Sequence, residues 1–83
     1  MSAVADVTVA VVAFNSAAVI ERCLAALDAR AAIVLVDNAS RDDTLARAAA
    51  VAPAARLLRL PRNEGFGVAA NRAFATSALR SRP

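Results

Sequence analysis

Three short apolar runs, at residues 7–13 (VTVAVVA), 32–36 (AIVLV) and 56–60 (RLLRL), alternate with stretches whose bulky apolar residues recur at helical spacing. A short, continuous, β-branched run suits a strand buried on both faces. Between the first two runs, Ile20, Cys23, Leu24 and Leu27 stand at i, i+3, i+4 and i+7, which predicts a helix over 17–30 lying on a sheet. Cys23 falls on that stripe and reads as a buried packing residue. Asn15 and Ser16, just ahead, are both competent helix caps. Ser40 followed by Asp43 reads as a capping box. The helix it opens is expected to run to about Ala52, with Leu45, Ala48, Ala49 and Ala52 on one face and Pro53 marking its end. Pro61 stops the third run. Residues 62–67 form a loop holding both glycines, and an alanine-rich helix is expected over 68–79. The order β-α-β-α-β-loop-α predicts an α/β fold: three layers, α/β/α, with a mainly parallel sheet and right-handed crossovers. It forms a single domain over residues 1–83.

Composition removes several classes of function. At 83 residues, the chain makes one small domain that buries about 60% of its surface. A hydrophobic content of 59% is too high for a disordered tail. One cysteine and no histidine exclude a disulfide framework, a cysteine-based zinc site, imidazole ligands and His-dependent triads. Ten arginines, no lysine and seven acids give a net charge of +3. The arginines are scattered and only three phenylalanines accompany them, so no nucleic-acid partner is expected. With 24 alanines, the arginine excess reads as GC-rich coding. The N-terminus lacks a positively charged leader pattern, and the run at 7–14 is far too short to span a bilayer. A cytoplasmic location is expected, with peripheral association at the inner membrane face left open.

The polar residues that carry chemistry gather where the runs end: Phe14-Asn15-Ser16, Asp37-Asn38, and residues 63–67. Ligands of open α/β sheets bind beyond the carboxyl ends of the strands. Each group also has a plain structural reading: a cap, a turn, or glycines supplying positive φ. The first turn has no glycine, which excludes a G-x-G-x-x-G dinucleotide site, and no Walker loop occurs. A response-regulator phosphoacceptor is missing too, because the third run ends in Leu60-Pro61. An aromatic ring and a carboxylate remain. A ring stacks on a nucleobase, and a carboxylate accepts from a base N–H or a ribose hydroxyl. The rest of a nucleotide would lie along the amides of the glycine loop.

Residues 7–16 (VTVAVVAFNS), 34–44 (VLVDNASRDDT) and 63–73 (NEGFGVAANRA) resemble, in order and spacing, three motifs of family 2 glycosyltransferases. The resemblance runs from Val7 to about Ala75 and points to the Rossmann-like N-terminal half of the GT-A fold. It is nearest the bacterial branch of rhamnosyl- and galactofuranosyl-transferases, which build cell-envelope polysaccharide. It implies that Phe14 and Asn15 lie beside the uracil or thymine of a UDP- or dTDP-sugar. Asp37 stands where the family's carboxylate binds the base N3–H, with Asn38 next to it. Asn63, Gly65 and Phe66 match the loop near the ribose and diphosphate, and Asn71 matches an asparagine of the following helix. Ala70 and Ala73 depart from the family pattern.

In the family a further strand ends in an Asp-x-Asp-type motif that binds a divalent metal, Mg or Mn, on the diphosphate. The general base lies beyond it. Asp42-Asp43 is not that motif, so no catalytic residue and no metal ligand is assigned, and the chain alone is expected to be inactive. The resemblance implies transfer of a sugar to an acceptor hydroxyl, on a saccharide or lipid-linked acceptor, with this chain as the donor-nucleotide part. The alternatives are a non-catalytic remnant or interaction module with weak nucleotide binding, and an unrelated α/β binding domain. Strands this apolar, left open at an edge, are expected to self-associate or to depend on further chain.

Overall fold

The computed structural model describes residues 8–27 and 30–80, with side chains up to Thr76. Sequence readings that fall on Val7, Asp28 and residues 81–83 lie outside the described residues. The order is β1 (Thr8–Ala13), α1 (Ile20–Ala25), β2 (Ala32–Asp37), α2 (Thr44–Val51), β3 (Arg56–Arg59) and α3 (Gly65–Arg80). The sheet runs β1-β2-β3, with both neighbouring pairs parallel.

The register explains the three layers. Side chains alternate across a strand, so residues paired in register share a face. Val11, Leu35 and Leu57 form one row, and Val12, Val36 and Leu58 form the next. The first row packs with Ile20 and Leu24 of α1 and Ala48 of α2. The second packs with Ala69 and Ala73 of α3 and with Leu60. Helices α1 and α2 therefore cover one face and α3 the other, as the alternating runs predict. Val34, Leu35 and Val36 are completely buried between them. Each such side chain contributes about 1.5–3 kcal/mol of burial free energy.

Five local expectations change. Helix α1 starts at Ile20, not near Ala17, because the Ser16 carbonyl accepts from the N–H of both Val19 and Ile20 and closes a turn over 17–19. Of α1 only Ile20 and Leu24 are buried against the sheet, with Leu27 packing just beyond the helix end, and Cys23 is exposed. The buried role read for Cys23 is thus corrected. The capping box also fails. α2 begins at Thr44, its N-cap Asp43 makes no side-chain cap bond, and Ser40 is buried in other work. Ala49 is exposed, although Leu45, Ala48 and Ala52 do face the core. Finally, α3 begins at Gly65, so Phe66 and Gly67 are helical and the loop is shorter than residues 62–67.

Candidate functional site

The three loops at the carboxyl ends of the strands are tied to one another by side chains. After β1, Asn15 adopts a left-handed φ of 49°, a region asparagine tolerates. Its N–H donates to Ser40 Oγ at 2.8 Å, and its Oδ1 accepts from the Arg41 N–H at 2.8 Å. The Ser16 N–H donates to Thr44 Oγ1 at 2.8 Å, and the Ala17 N–H to Asp42 Oδ2 at 3.1 Å. The first loop is therefore held along the second. Asn15 and Ser16 join loops and do not cap α1.

Asp37 is the buried anchor of this arrangement, with no exposed surface. Its Oδ1 accepts from the Ser40 hydroxyl and its Oδ2 from the Ser40 N–H at 3.2 Å. Arg59 donates through Nη2 to the Ser40 carbonyl at 3.0 Å, and its Nη1 lies 4.0 Å from Asp37 Oδ2. Ser40 thus uses its amide, hydroxyl and carbonyl together, linking the ends of all three strands.

Asn38, only 4% exposed, does the same for the third loop. Its Nδ2 donates to Asn63 Oδ1 at 3.0 Å, and its Oδ1 accepts from the Glu64 N–H at 3.0 Å. Asn63 Oδ1 also accepts from the Gly65 N–H at 2.8 Å. Gly65 turns into α3 with φ 83°, which glycine adopts without strain. Glu64 sits between Arg62, at 3.8 Å, and Arg72, at 3.6 Å. Among the described residues, no buried side-chain polar atom lacks a partner.

A cleft of about 750 Å³ opens over these loops, lined by Phe14, Asn15, Ala39, Ser40, Arg41, Arg59, Leu60, Pro61, Arg62 and Asn63. Phe14 presents its ring at 47% exposure. Of the residues singled out in the sequence, Phe14, Asn15 and Asn63 line this cleft. Asp37 and Asn38 lie buried behind it and hold its walls. Gly65, Phe66 and Asn71 are exposed on α3 and are not part of the lining. The sequence reading missed Arg41, Arg59 and Arg62: the fold brings Arg41, from the connection after β2, into one cleft with Arg59, at the end of β3, and Arg62, just beyond it. The signal was available: Arg59 lies next to the last residue of the third run and Arg62 follows Pro61, both at the edge where ligands of such sheets bind. Such a cleft offers a flat ring, amide groups and cations to a planar, anionic ligand.

The described acids do not form a metal site. Among the described residues, no group of three or more His, Cys, Asp or Glu converges. The Asp42 carboxyl is held below its ordinary range by the Thr44 hydroxyl, against a smaller opposing effect of desolvation, with further help from the Ala17 and Thr44 amides. Asp43 accepts from Arg47 Nε at 3.0 Å, which raises the arginine's pKa. With Asp37 held by Ser40 and Glu64 by two arginines, these donors do not fit a divalent cation. No helix among the described residues is long and apolar enough to cross a membrane.

Fold and cleft together define an α/β protein with an open cleft at the carboxyl edge of a parallel sheet, the edge where sheets of this kind bind their ligands. The family model for glycosyl transferase family 2 matches residues 8–78, nearly the whole chain. The chain belongs to that family, and its three strands and three helices agree with the Rossmann-like N-terminal half of the GT-A fold. No curated protein matches it.

Proposed function

We propose that this chain, as one unit, holds the nucleotide of a UDP- or dTDP-sugar in the cleft between Phe14 and Asn63. The sugar is destined for an acceptor hydroxyl on a saccharide or a lipid-linked carrier. The observation that carries the reading is the union, in one cleft, of the exposed Phe14 ring with Arg41, Arg59 and Arg62. The ring stacks on the base, Asn15 and Asn63 offer amides to base and ribose, and the arginines face the diphosphate. Asp37 and Asn38 act as positioning residues, through Ser40 and Asn63. Family membership favours a sugar nucleotide over other planar anions. Donor preference, a rhamnosyl- or galactofuranosyl-transferase affiliation and association with the inner membrane face rest on motif resemblance.

The chemistry derived from these residues is binding and orientation. A divalent metal would supply charge neutralisation on the diphosphate, but its ligands are not among the described acids, and no step is routed through it. Isothermal titration of the chain with UDP, dTDP and NAD tests the reading. Weak binding of UDP or dTDP is expected. The Phe14→Ala variant should weaken it by about 1–3 kcal/mol, the worth of one base–aromatic stack. Tight NAD binding, or UDP binding indifferent to Phe14, contradicts the reading.

A further inference from the structure

The three arginines of the cleft are held differently. Arg59 is fixed at the end of β3, donating to the Ser40 carbonyl beside the buried Asp37. Arg41 is tied through its backbone N–H to Asn15. Arg62 lines the cleft as well, yet its charge is shared with a carboxylate outside the lining: its Nε lies 3.8 Å from Glu64 Oε2.

Glu64 is not free to follow Arg62. Its N–H donates to Asn38 Oδ1 at 3.0 Å, which ties its backbone to the loop after β2. Its side chain is only 19% exposed, and its Oε1 lies 3.6 Å from Nη2 of Arg72, on α3. One carboxylate therefore serves two guanidinium groups, one in the cleft and one on a helix outside it. A partly buried carboxylate needs a cation beside it. Arg72 supplies one whether or not Arg62 stays. Both separations exceed hydrogen-bond length, so the departure of Arg62 breaks no hydrogen bond to Glu64. Loose, exposed pairs of this kind are weak. A diphosphate carries more charge and offers a guanidinium two oxygens at once, so it draws the arginine more strongly.

We propose that Glu64 is the resting counter-ion of Arg62, which exchanges it for the diphosphate when the nucleotide enters the cleft, while Arg72 retains Glu64. The inference rests on the nucleotide site proposed above. Glu64 is then a positioning residue that acts through Arg62: it lowers affinity for the diphosphate and leaves recognition of the nucleoside untouched. Arg72 acts with the opposite sign. Without it, Glu64 has Arg62 alone and holds it harder.

Titration of the full chain with UDP and with uridine, followed by amide chemical shifts, tests the exchange. Glu64→Gln should tighten UDP binding by about two- to fivefold, the scale of one exposed ion pair, and leave uridine binding unchanged. Arg72→Gln should weaken UDP binding by a similar factor. Each effect should vanish once its route is cut. Glu64→Gln should bring no gain in an Arg62→Gln background, and Arg72→Gln no loss in a Glu64→Gln background. The general field of one altered charge would act in either background. A damaged loop would change uridine and UDP together. UDP binding that needs Phe14 but ignores Glu64, or a gain that survives Arg62→Gln or extends to uridine, overturns the proposal and leaves the nucleotide site standing. A wild-type chain that does not respond to UDP overturns both.

Discussion

Ser40 is 2% exposed, and its three polar groups engage Asp37, Asn15 and Arg59. Removing its hydroxyl leaves the buried Asp37 carboxylate one donor short and the Asn15 amide without its acceptor. A buried polar group stripped of its partner costs about 1–3 kcal/mol. Ser40→Ala should therefore lower stability by that amount in urea denaturation, with an unchanged slope. Asp42 makes a second prediction at this scale. Its carboxyl is held below its ordinary pKa of 3.8 in the folded chain, chiefly by the Thr44 hydroxyl. The ionised form is the one the fold favours, so its contribution is present above pH 3.8 and is lost as pH falls through the lower folded value. Urea midpoints measured from neutral pH downward should fall more steeply in that acid window for wild type than for Asp42→Asn.

The two glycines separate backbone conformation from space. A Cβ at either position would meet nothing within 4 Å, but Gly65 has φ 83° and Gly67 is helical. Gly65→Ala should destabilise by about 1–2 kcal/mol, the cost of a left-handed residue. Gly67→Ala should stabilise by about 0.5–1 kcal/mol. Thermal or urea unfolding of the pair is expected to give opposite signs, because Gly65 enters α3 left-handed and Gly67 lies within it. At this scale the sequence was legible wherever periodicity decides. Parallel pairing and the layering follow from the alternation of β-branched runs with helical stripes. It was not legible where a polar residue had two partners to choose from. Ser40 looked like a helix cap because capping depends on local spacing. It instead faces Asp37, which pairs in register with Ala13 and Arg59 only once the sheet forms. Cys23 was misread for a related reason: at about 100° per residue it lies on the flank of the line through Ile20 and Leu24, and only that line is buried.

Over the whole molecule, the same carboxyl edge gathers almost every polar side chain that the fold buries: Asp37, Asn38, Ser40 and Thr44. Those groups stiffen the walls of a cleft whose lining was only half visible beforehand. Phe14, Asn15 and Asn63 stood out because they end strands. Arg41 lies far along the chain from Arg59 and Arg62, and only the sheet brings it beside them. A second, more apolar cleft at the opposite edge, lined by residues such as Leu24, Ile33 and Pro53, provides an internal control. The central claim is that a uridine or thymidine diphosphate is held at the carboxyl edge. Amide chemical-shift mapping of the isotope-labelled chain on titration with UDP tests it most directly. Shifts are predicted to concentrate at Phe14, Asn15, Arg41, Arg59, Arg62 and Asn63. Shifts centred on Leu24, Ile33 and Ala55, or no shifts at saturating UDP, would contradict it.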